Sequence, residues 1–262
     1  MRYKKRVVGA YRHKRFTQCM TAQIAMAIFW RFGHGNNDCE GEIDFLRGAN
    51  PQRDKPVWQK KYVLENWRAG GTRSGEHTCE SVYKRFTEQA NVSWNKVTHL
   101  RQAGMEYASA SGVGADALAT MSKHRGEKLF DAYMTELYPD VMLVMSGHRP
   151  GDSYFVPRTE VELPYPLERC IEICFPAHRT WTEQWNGGAT PGDNHESAKN
   201  FLVELVPYLT RVIVQDAPYW LKHYPDHEYT QRIQQIFPMD FWQEGYKTMI
   251  RKAESLHEKI GC

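Results

Sequence analysis

Apolar residues recur every three to four positions along most of this chain, and that period limits the folds open to it more than any other feature. A side chain returns to the same face of a helix after three or four residues, but to the same face of a strand after two. Ile24, Ala27, Ile28 and Phe32 follow the helical interval, as do Leu129, Tyr133, Leu137 and Val141. Thr17 can cap a helix running to about Phe32 with the first set on its inner face, and Gly33-His34-Gly35-Asn36-Asn37 stops it. Further helices are expected from Trp58 to Trp67, ended by Gly70-Gly71, and from Thr78 or Ser81 to near Ala90. Others follow from beyond Trp94 to Ala110, over Asp116–Met121, over Lys128–Met145 and over Leu167–Phe175. Pro139 either kinks the Lys128–Met145 helix or starts a second piece. Beyond Glu196 the chain reads as helix broken near Pro207, Pro218, Pro225 and Pro238. Alternation with Val7, Val8 and Tyr11 suits a short strand over 6–12, and Tyr154-Phe155-Val156 is strand-like. The expected class is mainly α with a small β-sheet near the N-terminus.

The charge is mild in total and uneven in place. A formal net charge of +3, with 41% hydrophobic and 25% charged residues, fits an ordinary globular protein and does not by itself demand a nucleic acid. Yet Met1 to Phe16 carries Arg2, Lys4, Lys5, Arg6, Arg12, Lys14 and Arg15 with no acid. Such a run is either a solvated arm or a phosphate-binding one. Lys123, Arg125 and Lys128 crowd together, while acids such as Glu160, Glu162, Glu168 and Glu172 lie elsewhere.

The six cysteines show no C-x-x-C spacing, so reduced thiols are expected. Cys170 and Cys174 read as helix core, and neither a metal nor a cofactor is expected. The longest apolar run, Ala22–Trp30, contains Gln23 and is far short of the roughly 20 residues of a membrane span, so a soluble intracellular protein is expected. Trp181, Trp185 and Trp220 read as packing residues before base-stacking ones.

The stretch from Lys96 to Tyr133 points at DNA. It presents Lys96-Val97-Thr98-His99-Leu100-Arg101, then Ser122-Lys123-His124-Arg125, then Tyr133. This is the order of phosphate-binding residues and nucleophile in a tyrosine recombinase. More pieces carry the likeness in sequence order: Tyr11-Arg12-His13-Lys14 before Cys19, Phe29-Trp30-Arg31-Phe32, Gly112-Val113, Tyr133-Met134-Thr135, Tyr154-Phe155-Val156-Pro157-Arg158, Ile173-Cys174-Phe175-Pro176 and Gln215-Asp216-Ala217. On these residues the chain resembles the tyrosine-recombinase-like second domain of the fungal centromere DNA-binding kinetochore subunit, and the related Crypton-type transposon recombinases. The resemblance implies a tyrosine-recombinase-like catalytic-domain fold that clasps double-stranded DNA in the nucleus. In the kinetochore branch it implies a homodimer that does not cut.

Roles follow from the resemblance. Arg101 matches the second arginine of the phosphate clamp, His124 the later His/Trp position, Tyr133 the nucleophile and Lys14 the hairpin lysine. Such a site needs two arginines on the phosphate oxygens and an acid for the leaving oxygen, because a phenol of pKa about 10 is a weak nucleophile. The first arginine should lie upstream of the hairpin, and this chain is expected to begin too close to the hairpin to contain it. The usual H-x-x-R spacing is also broken, with Thr98 three residues before Arg101 and His99 two before. Binding is therefore expected to outlast strand transfer. The DNA-binding set is Lys4, Lys5, Arg6, Arg12, His13, Lys14, Lys96, His99, Arg101, Lys123 and Arg125. Tyr133 also sits on an apolar stripe and His124-Arg125 can be a solvated helix end, so packing readings stand beside the functional ones. The expected organisation is a recombinase-like core over 1–175, a surface loop over 176–196 and a helical extension over 197–262 packed on the core. Two other functions stay open: an active transposon recombinase using Tyr133, and a helical protein–protein scaffold.

Overall fold

A computed structural model of the chain describes residues 11–33, 65–66, 72–73, 97–122, 139–186, 198–238, 241–242 and 246–259, and the helical residues 81, 84–85 and 87–89. These residues fall in two compact units. One holds 1–20 and 65–155, the other 21–64 and 156–262.

In the first unit, helices α2 (Val97–Ala110), α3 (Ala115–Ser122) and α4 (Pro139–Met145) pack on one another. Their shared core is Ala108, Val113, Leu118, Val141 and Val144, all buried. Small Ala108 lets the helices approach, and the β-branched valines fill the space between them. Pro139 starts α4, where its missing N–H leaves no intrahelical partner unsatisfied. The rest of the expected Lys128–Met145 helix lies outside the described residues.

The second unit is built around α7 (Val206–His223). Eleven of its side chains are buried, on nearly every face, as befits a central helix. Around it lie α5 (Leu167–Cys174), α8 (Glu228–Ile236) and α9 (Tyr246–Lys259). A π-helical segment, Asn200–Leu205, leads into α7 and carries α6 (His178–Asn186) against it. The bond from Val206 N–H to the Phe201 carbonyl widens this turn. Pro207 follows at once, and it cannot donate to the carbonyl four residues back.

Most of α1 (Met20–Phe32) belongs to this second unit. Phe29 meets Phe175 and Tyr229 edge to face, at ring separations of 6.2 and 5.6 Å. Arg232 of α8 lies over the Trp30 ring at 4.1 Å and donates to the Trp30 carbonyl. Gly33 ends α1 where no side chain fits. A Cβ there would stand 2.4 Å from the Phe29 carbonyl oxygen and 2.9 Å from that of Cys174.

Several expectations need correction. The fold is mainly α, but the small N-terminal sheet is absent among the described residues. Tyr11 and Arg12 are irregular, and 6–10 lie outside the described residues. The Arg12 N–H donates to the Tyr154 hydroxyl (3.0 Å), which itself reaches the Arg12 carbonyl (3.3 Å). A side chain thus satisfies backbone groups that a strand would have satisfied. Tyr154-Phe155-Val156 is likewise no strand. The β pairing among the described residues is a two-residue antiparallel ladder, β1 (Glu65–Asn66) with β2 (Thr72–Arg73). It occupies the end of the expected Trp58–Trp67 helix, so Gly70-Gly71 lie between two strands.

The expected break at Pro218 does not occur, and α7 runs through it. A proline inside a helix costs about 3 kcal/mol, and the unbroken burial of Val212–Pro218 outweighs that. The inner face of α1 is Ala22, Ala25, Ile28, Phe29 and Phe32, while Ile24 is exposed. Thr17 sits within a 3₁₀ turn, Phe16–Gln18, ahead of α1. His178–Asn186, inside the expected surface loop, is helix α6 with Trp181 buried.

Three ionisable groups meet in the second unit's core. Burial pushes the Cys170 thiol up to about 11. Burial likewise raises Cys174 and the Tyr229 hydroxyl well above their ordinary values. All three are neutral when protonated, so the unfolded chain loses these protons first as pH rises. Stability should therefore be complete below about pH 9 and should fall above it, by about 1.4 kcal/mol per pH unit for each group titrating only in the unfolded chain. Urea unfolding midpoints should be flat from neutral pH to pH 8.5 and drop steeply by pH 10.5.

Candidate nucleic-acid interface

The residues that face solvent together in the first unit come from three places in the sequence. The first is the Tyr11–Gln18 segment. Phe16 and Cys19 are buried and three apart, which anchors the 3₁₀ turn and leaves Lys14, Arg15 and Gln18 exposed. Tyr11 stacks on Tyr154 at 4.3 Å, and with the Arg12–Tyr154 hydrogen bonds this fixes where the segment leaves the surface.

The second place is the end of α4. Ser146 accepts the Lys14 N–H at its carbonyl (2.8 Å). Its hydroxyl donates to the Leu143 carbonyl (2.8 Å) and lies 3.0 Å from His148 Nδ1. His148 Nε2 lies 3.0 Å from the Phe155 carbonyl oxygen and 3.3 Å from the Phe155 nitrogen, so both ring nitrogens have polar partners. His148 is buried and serves as a strut. Gly147 has φ +84°, a conformation other residues adopt only with strain. A Cβ there would also stand 3.0 Å from His13 Cε1. The glycine lets the His13 ring lie against the chain. His13 Nδ1 accepts the Arg15 N–H (2.9 Å), which holds the loop between them tight.

The third place is α2, which contributes Tyr107. Together His13, Lys14, Arg15, Gln18, Tyr107, Met145 and Gly147 line an open cleft of about 640 Å³. None of these residues is acidic. Such a surface can hold anionic oxygens on its basic side and apolar groups on the other.

The expected site residues are placed unevenly. His13 and Lys14 line the cleft. Arg12 is 4% exposed, so its guanidinium belongs to the interior and a phosphate cannot meet it at the surface. His99 and Arg101 lie in the first two turns of α2, the helix that carries Tyr107 to the cleft. Lys4, Lys5, Arg6, Lys96, Lys123, His124, Arg125 and Tyr133 lie outside the described residues. Arg15, Gln18, Tyr107 and Met145 were not expected at the site. Arg15 was visible in the acid-free run, whereas Tyr107 and Met145 offered no sequence signal. Trp181 and Trp220 are core residues, and Cys170 and Cys174 are buried thiols within α5. No group of three or more His, Cys, Asp or Glu among the described residues could hold a metal ion. No described helix is long and apolar enough to cross a membrane.

Fold and cleft together define a mainly helical protein with a basic, acid-free concavity on one of its two units. Residues 3–239 match the family described as centromere DNA-binding protein complex CBF3 subunit, domain 2, and the chain belongs to that family. No curated protein and no solved structure shows significant similarity to it.

Proposed function

We propose that this chain binds duplex DNA at a centromere through the basic side of the first unit's cleft, and binds it without cutting. The observation that carries the reading is the pair of exposed cations, Lys14 and Arg15, on a cleft with no acidic lining, in a member of a centromere DNA-binding family. Phosphate contacts supply most of the affinity of a sequence-tolerant DNA binder. Lys14 offers a point charge and Arg15 a bidentate fork. Arg2, Lys4, Lys5 and Arg6 precede this segment without an intervening acid, and in this reading they extend the same track. On the family resemblance, His99, Arg101, Lys96, Lys123 and Arg125 are proposed to supply further phosphate contacts. Lys14→Gln and Arg15→Gln should each weaken duplex binding and flatten its salt dependence by about one unit. Fluorescence anisotropy on a duplex of arbitrary sequence measures both, and unchanged binding in the double variant contradicts the assignment.

We further propose descent from a tyrosine recombinase whose chemistry has lapsed. The ordered motif pieces support kinship, and Thr98 in place of the expected histidine supports loss of cutting. A nicked suicide duplex should give no covalent adduct. An adduct that disappears in Tyr133→Phe would make the protein a recombinase. The kinetochore branch of the resemblance adds a homodimer to the proposal, which would double the phosphate contacts. A centromere protein works in the nucleus, and we infer that location.

A further inference from the structure

We propose that Tyr107 and Met145 form an apolar ledge that seats the deoxyribose face of the same duplex strand whose phosphates Lys14 and Arg15 hold. The inference rests on the DNA-binding reading above and assigns two residues that carry no charge. Tyr107 is 54% exposed and Met145 51%. Single exposed apolar residues are common and mean little, but these two line one cleft, from positions 38 residues apart in sequence.

Three consecutive residues build the arrangement. The Met145 side chain reaches α2 at Gly104, where a Cβ would stand 3.6 Å from its Cε, an ordinary contact. Tyr107 lies three residues further along, on the same face of that helix. Ser146 holds Lys14 through its carbonyl, and Gly147 admits His13. The turn at 145–147 therefore brings apolar and basic residues into the lining of one concavity. A nucleic-acid strand presents the same alternation, an anionic phosphate followed by the C–H face of a sugar. An acidic peptide would match the cations but has no regular apolar face for the ledge. An extruded base would first have to be unstacked, at a few kcal/mol, so a sugar contact from an intact duplex fits better.

The test uses the whole chain and a labelled duplex of arbitrary sequence, titrated at several salt concentrations. Tyr107→Ala and Met145→Ala should each lower affinity by about three- to tenfold, with the salt slope unchanged. Lys14→Gln and Arg15→Gln should lower the slope. Circular dichroism melts check that each exposed-site variant folds. As a readout without substitution, bound duplex should protect Met145 from peroxide oxidation, read by mass spectrometry. If the wild-type chain binds in a salt-dependent way while the Tyr107→Ala/Met145→Ala double variant binds equally well, the ledge is overturned and the DNA reading stands. Equal oxidation of Met145 with and without duplex overturns it too. If the wild-type chain binds no duplex at low salt, or binds an acidic peptide and no duplex, both readings fall together.

Discussion

Asp216→Ala should destabilise the chain by about 3–5 kcal/mol, enough to unfold a marginal domain. Arg158 Nε donates to Asp216 Oδ1 at 2.8 Å, with the two side chains 4% and 1% exposed. Next to it Gln215 donates to the Thr159 and Val161 carbonyls, at 3.0 and 2.8 Å. The 3₁₀ turn Pro157–Thr159 is thus bound to the central helix by a charge pair and an amide, all buried. Removing one partner leaves a guanidinium or a carboxylate in the interior without its counter-charge, and Arg158→Ala should cost as much. The double change Arg158→Met/Asp216→Leu removes both charges and should be near neutral, because the attraction of a buried pair roughly offsets its desolvation. Urea unfolding of the two single variants and the double variant measures this. A loss below 1 kcal/mol in Asp216→Ala contradicts the assignment.

That pair also shows what the sequence made legible. Tyr154-Phe155-Val156-Pro157-Arg158 and Gln215-Asp216-Ala217 stood out as separate pieces of a family likeness, and Arg158 bonds to Asp216 across 58 residues. Ile173-Cys174-Phe175-Pro176 and the Phe29–Phe32 piece meet in the same way, through Phe29 and Phe175. These pieces prove to be packing partners, a role that short motifs do not declare.

Helices such as Leu167–Cys174 and Val97–Ala110 were legible because their apolar period is strong and a clear terminator follows. The face of α1 was not: the more apolar stripe Ile24-Ala27-Ile28 leaves Ile24 exposed, and the adjacent Ala22-Ala25-Phe29 stripe is buried, with the Phe29 ring against Phe175 and Tyr229. Pro218 misled because propensity is a weak prior against burial as unbroken as that of Val212–Pro218.

At the cleft, the acid-free run correctly announced a basic segment but not which cations face outward. Arg12 turns in while Lys14 and Arg15 stay at the surface. Tyr107 and Met145 come together only through the packing of α2 on α4, which no local pattern encodes.

The most direct test of the central claim is the salt dependence of duplex binding by the wild-type chain. Neutralising Z phosphates gives a slope of about −0.9Z in log K against log salt. With roughly four to eight contacts, affinity should fall by about 10²–10⁴ between 50 and 200 mM salt. Two unrelated duplexes should bind within about tenfold of each other, as expected of a surface that meets DNA mainly through phosphates. Anisotropy titrations over that salt range with two sequences give both quantities at once. A steep slope shared by the two duplexes is the result this account predicts; no binding at 50 mM salt, or binding indifferent to salt, would contradict it.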